Sequence, residues 1–177
     1  RHLPDQAKVV QALTTPNQAG PREASAPPIW TVLLDAAGPH AQSLLQQQLE
    51  ALLSQATDEG LIRQACIAQS DTQYRAMWAL REAIPLAEKI AGQMVKHDIG
   101  VPSSRIPDFL RATVPALQQA FPGCHVVCFG HLGDGNLHFN VQGPEHIPAA
   151  DFLAAHEHSV NGIVYAQVSA LGGTISA

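Results

Sequence analysis

Gly130-His131-Leu132-Gly133-Asp134-Gly135-Asn136-Leu137-His138-Phe139-Asn140 is the stretch on which the fold reading turns. Asp-Gly is a favoured dipeptide for a two-residue type I′ hairpin turn, in which both central residues need positive φ. With Asp134-Gly135 as the loop, Gly133 faces Asn136, Leu132 faces Leu137 and His131 faces His138. Directly opposed residues have Cβ atoms about 4.5–5.5 Å apart, so two imidazoles in this register can converge on one ion. The two-residue period of a strand puts His131, His138, Asn136 and Asn140 on one side and Leu132, Leu137 and Phe139 on the other. One face carries chemistry and the other faces a core. Two merely solvated histidines are the plain alternative, and the agreement of turn, register and face weighs against it.

Working outward, the chain divides into alternating elements. Residues 1–28 hold a short helical pattern and a Pro, Gly, Ser and Ala-rich connector, which reads as a linker. Residues 29–177 read as the folded domain. Within it, 29–35 and 61–68 are apolar runs of strand length, and 40–58 has leucines at helical spacing. A helix is predicted over 71–93, capped by Ser70 or Asp71 and interrupted near Pro85. The stretch 94–102 reads as a strand with Lys96 and Asp98 on one face and Val95, His97 and Ile99 on the other. A helix from Ser103 or Ser104 is stopped by Pro122-Gly123, the hairpin follows, and a last helix spans about 149–171 up to Gly172-Gly173.

Strict strand and helix alternation favours a doubly wound parallel sheet. The hairpin, however, demands antiparallel pairing, and no glycine-rich phosphate loop follows the first apolar run. The expected fold class is therefore α+β: a largely antiparallel sheet with helices on one face, the other face left for a partner or a site. The chain begins on Arg1 and stops at Ala177, just after a double-glycine helix stop enters a new strand. It is expected to be a piece of a longer protein, incomplete at both ends.

Composition narrows the classes. The 177 residues are 46% hydrophobic, enough for a core, and 10 basic against 15 acidic residues give a net charge of −5. No basic footprint marks a nucleic-acid surface. Cys66, Cys124 and Cys128 form no zinc-knuckle or disulfide spacing, which points to a reducing compartment. With no transmembrane run and no signal-peptide pattern, the expected location is cytoplasmic, or peripheral to a membrane.

Among other polar residues, Lys96 stands in an apolar strand and calls for a partner if buried, for which Asp98 is at hand. Arg81 is a helix arginine whose bland reading is a solvated charge. His156-Glu157-His158 tempts a metal reading, but residues two apart on a helix point in different directions. His125, beside the core strand, reads as a structural histidine, and His2, His40, His97 and His146 carry no supporting pattern.

Together, Trp78-Ala79-Leu80-Arg81-Glu82, Lys96-His97-Asp98-Ile99-Gly100-Val101-Pro102 and the hairpin motif appear in an order that resembles the C-terminal substrate domain of FAD-linked oxidases. This is the vanillyl-alcohol-oxidase-type superfamily, and the resemblance is to its D-2-hydroxyglutarate, D-lactate and glycolate dehydrogenase branch. It implies FAD bound mainly by a domain absent from this chain, and a divalent metal, zinc being the expected ion. His131 and His138 are then metal ligands, and Arg81, Lys96 and Asn140 contact a 2-hydroxy acid. The family pattern continues past Gly-Gly-Thr-Ile-Ser into a Glu-His-Gly segment supplying a further metal ligand and the base. The base is therefore expected beyond Ala177, and no catalytic residue is expected within this chain. The implied reaction is oxidation of a D-2-hydroxy acid to a 2-oxo acid, with this chain inactive by itself. Expected partners are the small acid, the FAD domain and a second copy of the chain in a homodimer. Two other classes stay open: a non-catalytic α+β binding module, and a metal hydrolase built on His131 and His138, which lacks a persuasive third ligand or base.

Overall fold

The computed structural model describes residues 30–38 and 42–176. The predicted linker and its helical pattern lie outside them, as do Ile29 and Ala177, the two ends of the expected folded domain. The expectation that the catalytic base follows Ala177 thus also falls outside the described residues. The described chain forms two compact units, one running to Ile90 and one from Ala91 onward.

In the first unit, helix α1 (Gln42–Asp58) follows the leucine spacing. Helix α2 (Asp71–Glu82) starts where Ser70 accepts a hydrogen bond from the Gln73 N–H at 3.3 Å, while the Gln73 side chain reaches back to accept from the Gln69 N–H at 2.7 Å. The first bond satisfies a donor that the opening helical turn leaves orphaned, and the second fastens the chain just ahead of the cap. Helix α3 (Ile84–Ala91) restarts after Ala83, with Pro85 in its first turn, where a missing N–H costs nothing. The expected interruption is there, at the residue before Ile84. Two expected strands are not. The described part of 29–35 and all of 61–68 are irregular, and Trp30, Val32, Leu34 and Leu61 are exposed. Their apolar runs satisfy a strand pattern locally, but a strand exists only with a ladder partner, and neither run has one among the described residues.

The second unit carries the sheet. Strands β1 (Val95–Gly100), β2 (His125–His131), β3 (Asn136–Gln142) and the short β4 (Thr174–Ile175) pair in the order β2-β3-β1-β4, with every pairing antiparallel. A 3₁₀ turn (Ser103–Arg105) leads into helix α4 (Ile106–Ala120), and helix α5 (Ala149–Ala170) precedes β4. Helix α4 buries Ile106, Phe109, Thr113 and Leu117, and α5 buries Phe152, Val160, Val164 and Val168, each set at helical spacing along one stripe. These stripes meet Val95, Ile99, Leu137, Phe139 and Val141 of the sheet in one core. Phe109 and Phe139 pack edge to face with centroids 5.1 Å apart. Both helices thus cover one face of the sheet, and the expected α+β architecture stands.

Candidate functional site

The alternation of β1 places Val95, His97 and Ile99 in the core and leaves Lys96 and Asp98 exposed on the opposite side. Their β3 partners share that side: Lys96 pairs with Asn140, Asp98 with His138 and Gly100 with Asn136. From β2, Val127, Phe129 and His131 join them, paired with Asn140, His138 and Asn136. The polar residues expected on one face of the hairpin therefore do lie on one face, opposite α4 and α5.

The register differs from the two-residue turn by two positions. His131 pairs with Asn136, and the residue opposite His138 on β2 is Phe129. The loop is the four residues 132–135, and of Asp134 and Gly135 only Gly135 has positive φ, at 75°. A type I′ turn, which needs positive φ at both, is therefore excluded. Three bonds explain why the longer loop wins. The Gly135 carbonyl accepts from the Val101 N–H at 2.9 Å, the Ser103 hydroxyl donates to the Leu132 carbonyl at 2.8 Å, and the Asp134 carboxylate accepts from the Asn136 N–H at 3.0 Å. The first two tie the loop to the segment leaving β1, an influence invisible to local turn chemistry. A shift of two preserves the face, so His131 and His138 still look the same way, now as diagonal neighbours. Such pairs are about 7–8 Å apart, within reach of long side chains.

His138 is 37% exposed at its side chain and lies between two neighbours. On the β2 side the Phe129 ring sits 4.9 Å away, centroid to centroid, at a 40° tilt. On the β1 side Asp98 Oδ1 lies 3.7 Å from His138 Nδ1, and the same oxygen accepts from Asn136 Nδ2 at 3.1 Å. Asp98 is thus engaged with His138 and Asn136 and not with Lys96. Lys96 itself is exposed and makes no hydrogen bond or ion pair with the described residues, so it is a solvated cation on the polar face and not the buried lysine its apolar strand suggested. Asn140 is 3% exposed, and its Oδ1 accepts from the His97 N–H at 3.3 Å. Arg81 lies on α2 of the first unit.

The donor chemistry for a metal fits in type and face but not in number. His131 and His138 are two imidazoles on one side of the sheet, yet no group of three or more His, Cys, Asp or Glu able to hold an ion occurs among the described residues. For a dinucleotide the described residues offer no glycine-rich loop opening a helix; α4 opens instead on Ile106-Pro107 after the 3₁₀ turn.

The other histidines sort plainly. His97, which no sequence pattern singled out, is core: it is 2% exposed, Nδ1 lies 2.7 Å from the Phe139 carbonyl, and burial pushes its pKa below the usual imidazole range. His125, expected to be structural, is exposed at the start of β2. His156 packs between the rings of Phe121 and Phe152, with centroids 5.2 and 5.1 Å away. Burial also raises the Cys124 thiol and pushes Cys128 up to about 12, as inert apolar cysteines. Sequence reasoning put Asn136 on this face but missed that Asp98 stands beside it and His138, and that Ser103 holds the hairpin loop. The first two become neighbours only through the β1–β3 pairing, and Ser103 through the docking of the hairpin loop.

Residues 4–177 match the family model for the C-terminal domain of FAD-linked oxidases. The chain belongs to that family. It is similar to a D-2-hydroxyglutarate dehydrogenase of Xanthomonas citri pv. viticola, 37% identical over 151 residues that cover 85% of this chain and 31% of the relative. A D-2-hydroxyglutarate dehydrogenase of Stutzerimonas stutzeri is 32% identical over 132 residues, 74% of this chain and 28% of the relative. A mitochondrial D-2-hydroxyglutarate dehydrogenase of Bos taurus is 37% identical over 98 residues, 54% of this chain and 17% of the relative. The chain therefore spans less than a third of the length of these relatives. No helix among the described residues is long and apolar enough to cross a membrane.

Proposed function

We propose that this chain is the substrate-side part of a FAD-dependent dehydrogenase that oxidises a D-2-hydroxy acid to the 2-oxo acid. The observation that supports it most is the polar sheet face: Lys96, Asp98, Asn136, His138, Asn140 and His131 converge on the side away from α4 and α5, in a chain of the FAD-linked oxidase family.

In this reading Lys96 supplies an accessible cation for the anionic end of the substrate. The substrate role expected of Arg81, whose planar fork suits a carboxylate bidentately, belongs to the same proposal. Asn140, held by the His97 backbone, offers a fixed amide contact. His131 and His138, as neutral imidazoles, would hold part of the coordination shell of a divalent ion, with zinc expected. Such an ion supplies positive charge beside a substrate oxygen. FAD, held by another domain of the same protein, supplies the hydride acceptor when bound. The base that takes the hydroxyl proton is assigned to no described residue and is placed by this reading after Ala177. Strand β4 lies beside the β1 edge: Ile175 pairs with Ile99 and the Ser176 N–H donates to the Asp98 carbonyl at 2.9 Å. The domain boundary at residue 29, a homodimer and a cytoplasmic location belong to the same proposal.

The test is anaerobic reduction of the flavin in the full-length parent, reconstituted with FAD, by a panel of D-2-hydroxy acids. Bleaching of the oxidised flavin by at least one of them is expected. No substrate-dependent reduction with any member would reject the reading.

A further inference from the structure

We propose that Asp98 is a positioning residue for His138: it draws the Nδ1–H toward its carboxylate and so turns Nε2, with its lone pair, outward as the donor on the open face. Four observations carry this. Asp98 and His138 are register partners on adjacent strands. Asp98 Oδ1 lies 3.7 Å from Nδ1, within ion-pair reach though longer than a direct hydrogen bond, a span that a small swing of the half-exposed carboxylate closes. The same oxygen is held by Asn136 Nδ2 at 3.1 Å, and Asn136 is tied through its own N–H to Asp134 at 3.0 Å, so the carboxylate is braced from the loop. On the other side the Phe129 ring, 4.9 Å away, confines the imidazole. A carboxylate on one ring nitrogen fixes the tautomer and raises the basicity of the other, as behind many metal-bound histidines.

The orientation of the ring stands on this geometry alone. Its consequence, stronger ion binding, rests on the proposed metal reading, and the experiment separates the two. Nitrogen-15 spectra of the histidine-labelled chain at pH 8.5, above the ordinary imidazole range, report the tautomer of each ring. His138 is expected as the Nδ1–H form in the wild type and to lose that preference in Asp98→Ala. His97, whose Nδ1 faces the Phe139 carbonyl, keeps its Nδ1–H signal in both and serves as the control for folding. Titration with Zn²⁺ alone is then expected to show about 10–100-fold weaker binding in Asp98→Ala. An unchanged His138 tautomer with the His97 signal intact would overturn the proposal whatever the zinc result. A tautomer that shifts in a chain that binds no zinc in either form would uphold the positioning role and overturn the metal reading instead. If Asp98→Ala perturbs His97, Asp98→Val replaces it, removing every acceptor at that position while favouring the strand, and the same two outcomes apply.

Discussion

Replacing Gly135 by alanine tests how the hairpin is held. Gly135 is buried at φ 75°, and a Cβ built there would stand 2.1 Å from the Val101 carbonyl oxygen and 3.2 Å from its carbon. The neighbour is backbone and cannot swing aside, so the loop must lift. Holding alanine in the left-handed region costs about 1–2 kcal/mol. Lifting the loop breaks the bond from the Val101 N–H to the Gly135 carbonyl and leaves a buried amide unpaired, about 1–3 kcal/mol more. The expected loss is about 2–5 kcal/mol. Gly133, on the other side of Asp134, is the matched control: it has no positive φ and nothing lies within 4 Å of an added Cβ. Gly133→Ala should stay within about 0.5 kcal/mol of wild type. Trp30 and Trp78 both fall in the first unit, so tryptophan fluorescence does not report directly on the hairpin. Native-state hydrogen exchange of the Val101 and β3 amides does. Their protection should drop about thirty-fold or more in Gly135→Ala, and hardly in Gly133→Ala. Equal protection in the two variants would refute the pinned four-residue loop.

Three more expectations concern buried groups. Burial, opposed by the Phe139 carbonyl, holds His97 below its ordinary pKa, so between the folded value and about pH 6.5 the unfolded chain binds a proton that the folded chain does not. Its contribution to stability is therefore full above about pH 7 and falls as pH drops through 6.5, and His97→Gln should flatten that slope in melting temperatures recorded from pH 5 to 8; an undiminished slope would assign it elsewhere. Cys66 is exposed whereas Cys124 is buried and Cys128 sits at about 12, so a thiol reagent at pH 8 should modify Cys66 quickly and the other two only on unfolding. Equal rates at all three would contradict the packing of β2. Phe139→Ala, at a fully buried ring between β1 and β2 and against Phe109, should cost about 3–5 kcal/mol in urea denaturation. A loss below about 1 kcal/mol would mean that this ring is not the centre of the core.

Much of the second unit was legible because its signals are local and periodic. The alternation around Lys96 and Asp98 gave both faces of β1, Gly172-Gly173 marked the end of α5, and the hairpin residues fell on the face assigned to them. What failed depended on contacts distant in sequence. Asp134-Gly135 suggested the tightest turn, but Val101 and Ser103 bind a longer loop and move the register by two. His131 and His138 keep their face because side chains alternate with period two, and lose their direct opposition because the turn is set from outside the hairpin. The apolar runs at 29–35 and 61–68 had strand composition without a partner strand, which a one-dimensional pattern cannot supply. Asp98, which sequence proximity offers to Lys96, is the neighbour of His138 only because β1 and β3 pair.

The proposed role of the open face of the sheet as the chemical site of a FAD-linked dehydrogenase rests on His131 and His138. Metal content measured on the purified full-length parent, wild type against His138→Ala, tests it most directly, with the flavin spectrum confirming that both proteins are folded. A divalent ion should copurify with the wild type and be lost from the variant while the flavin stays bound. Equal metal content in the two proteins would contradict that role.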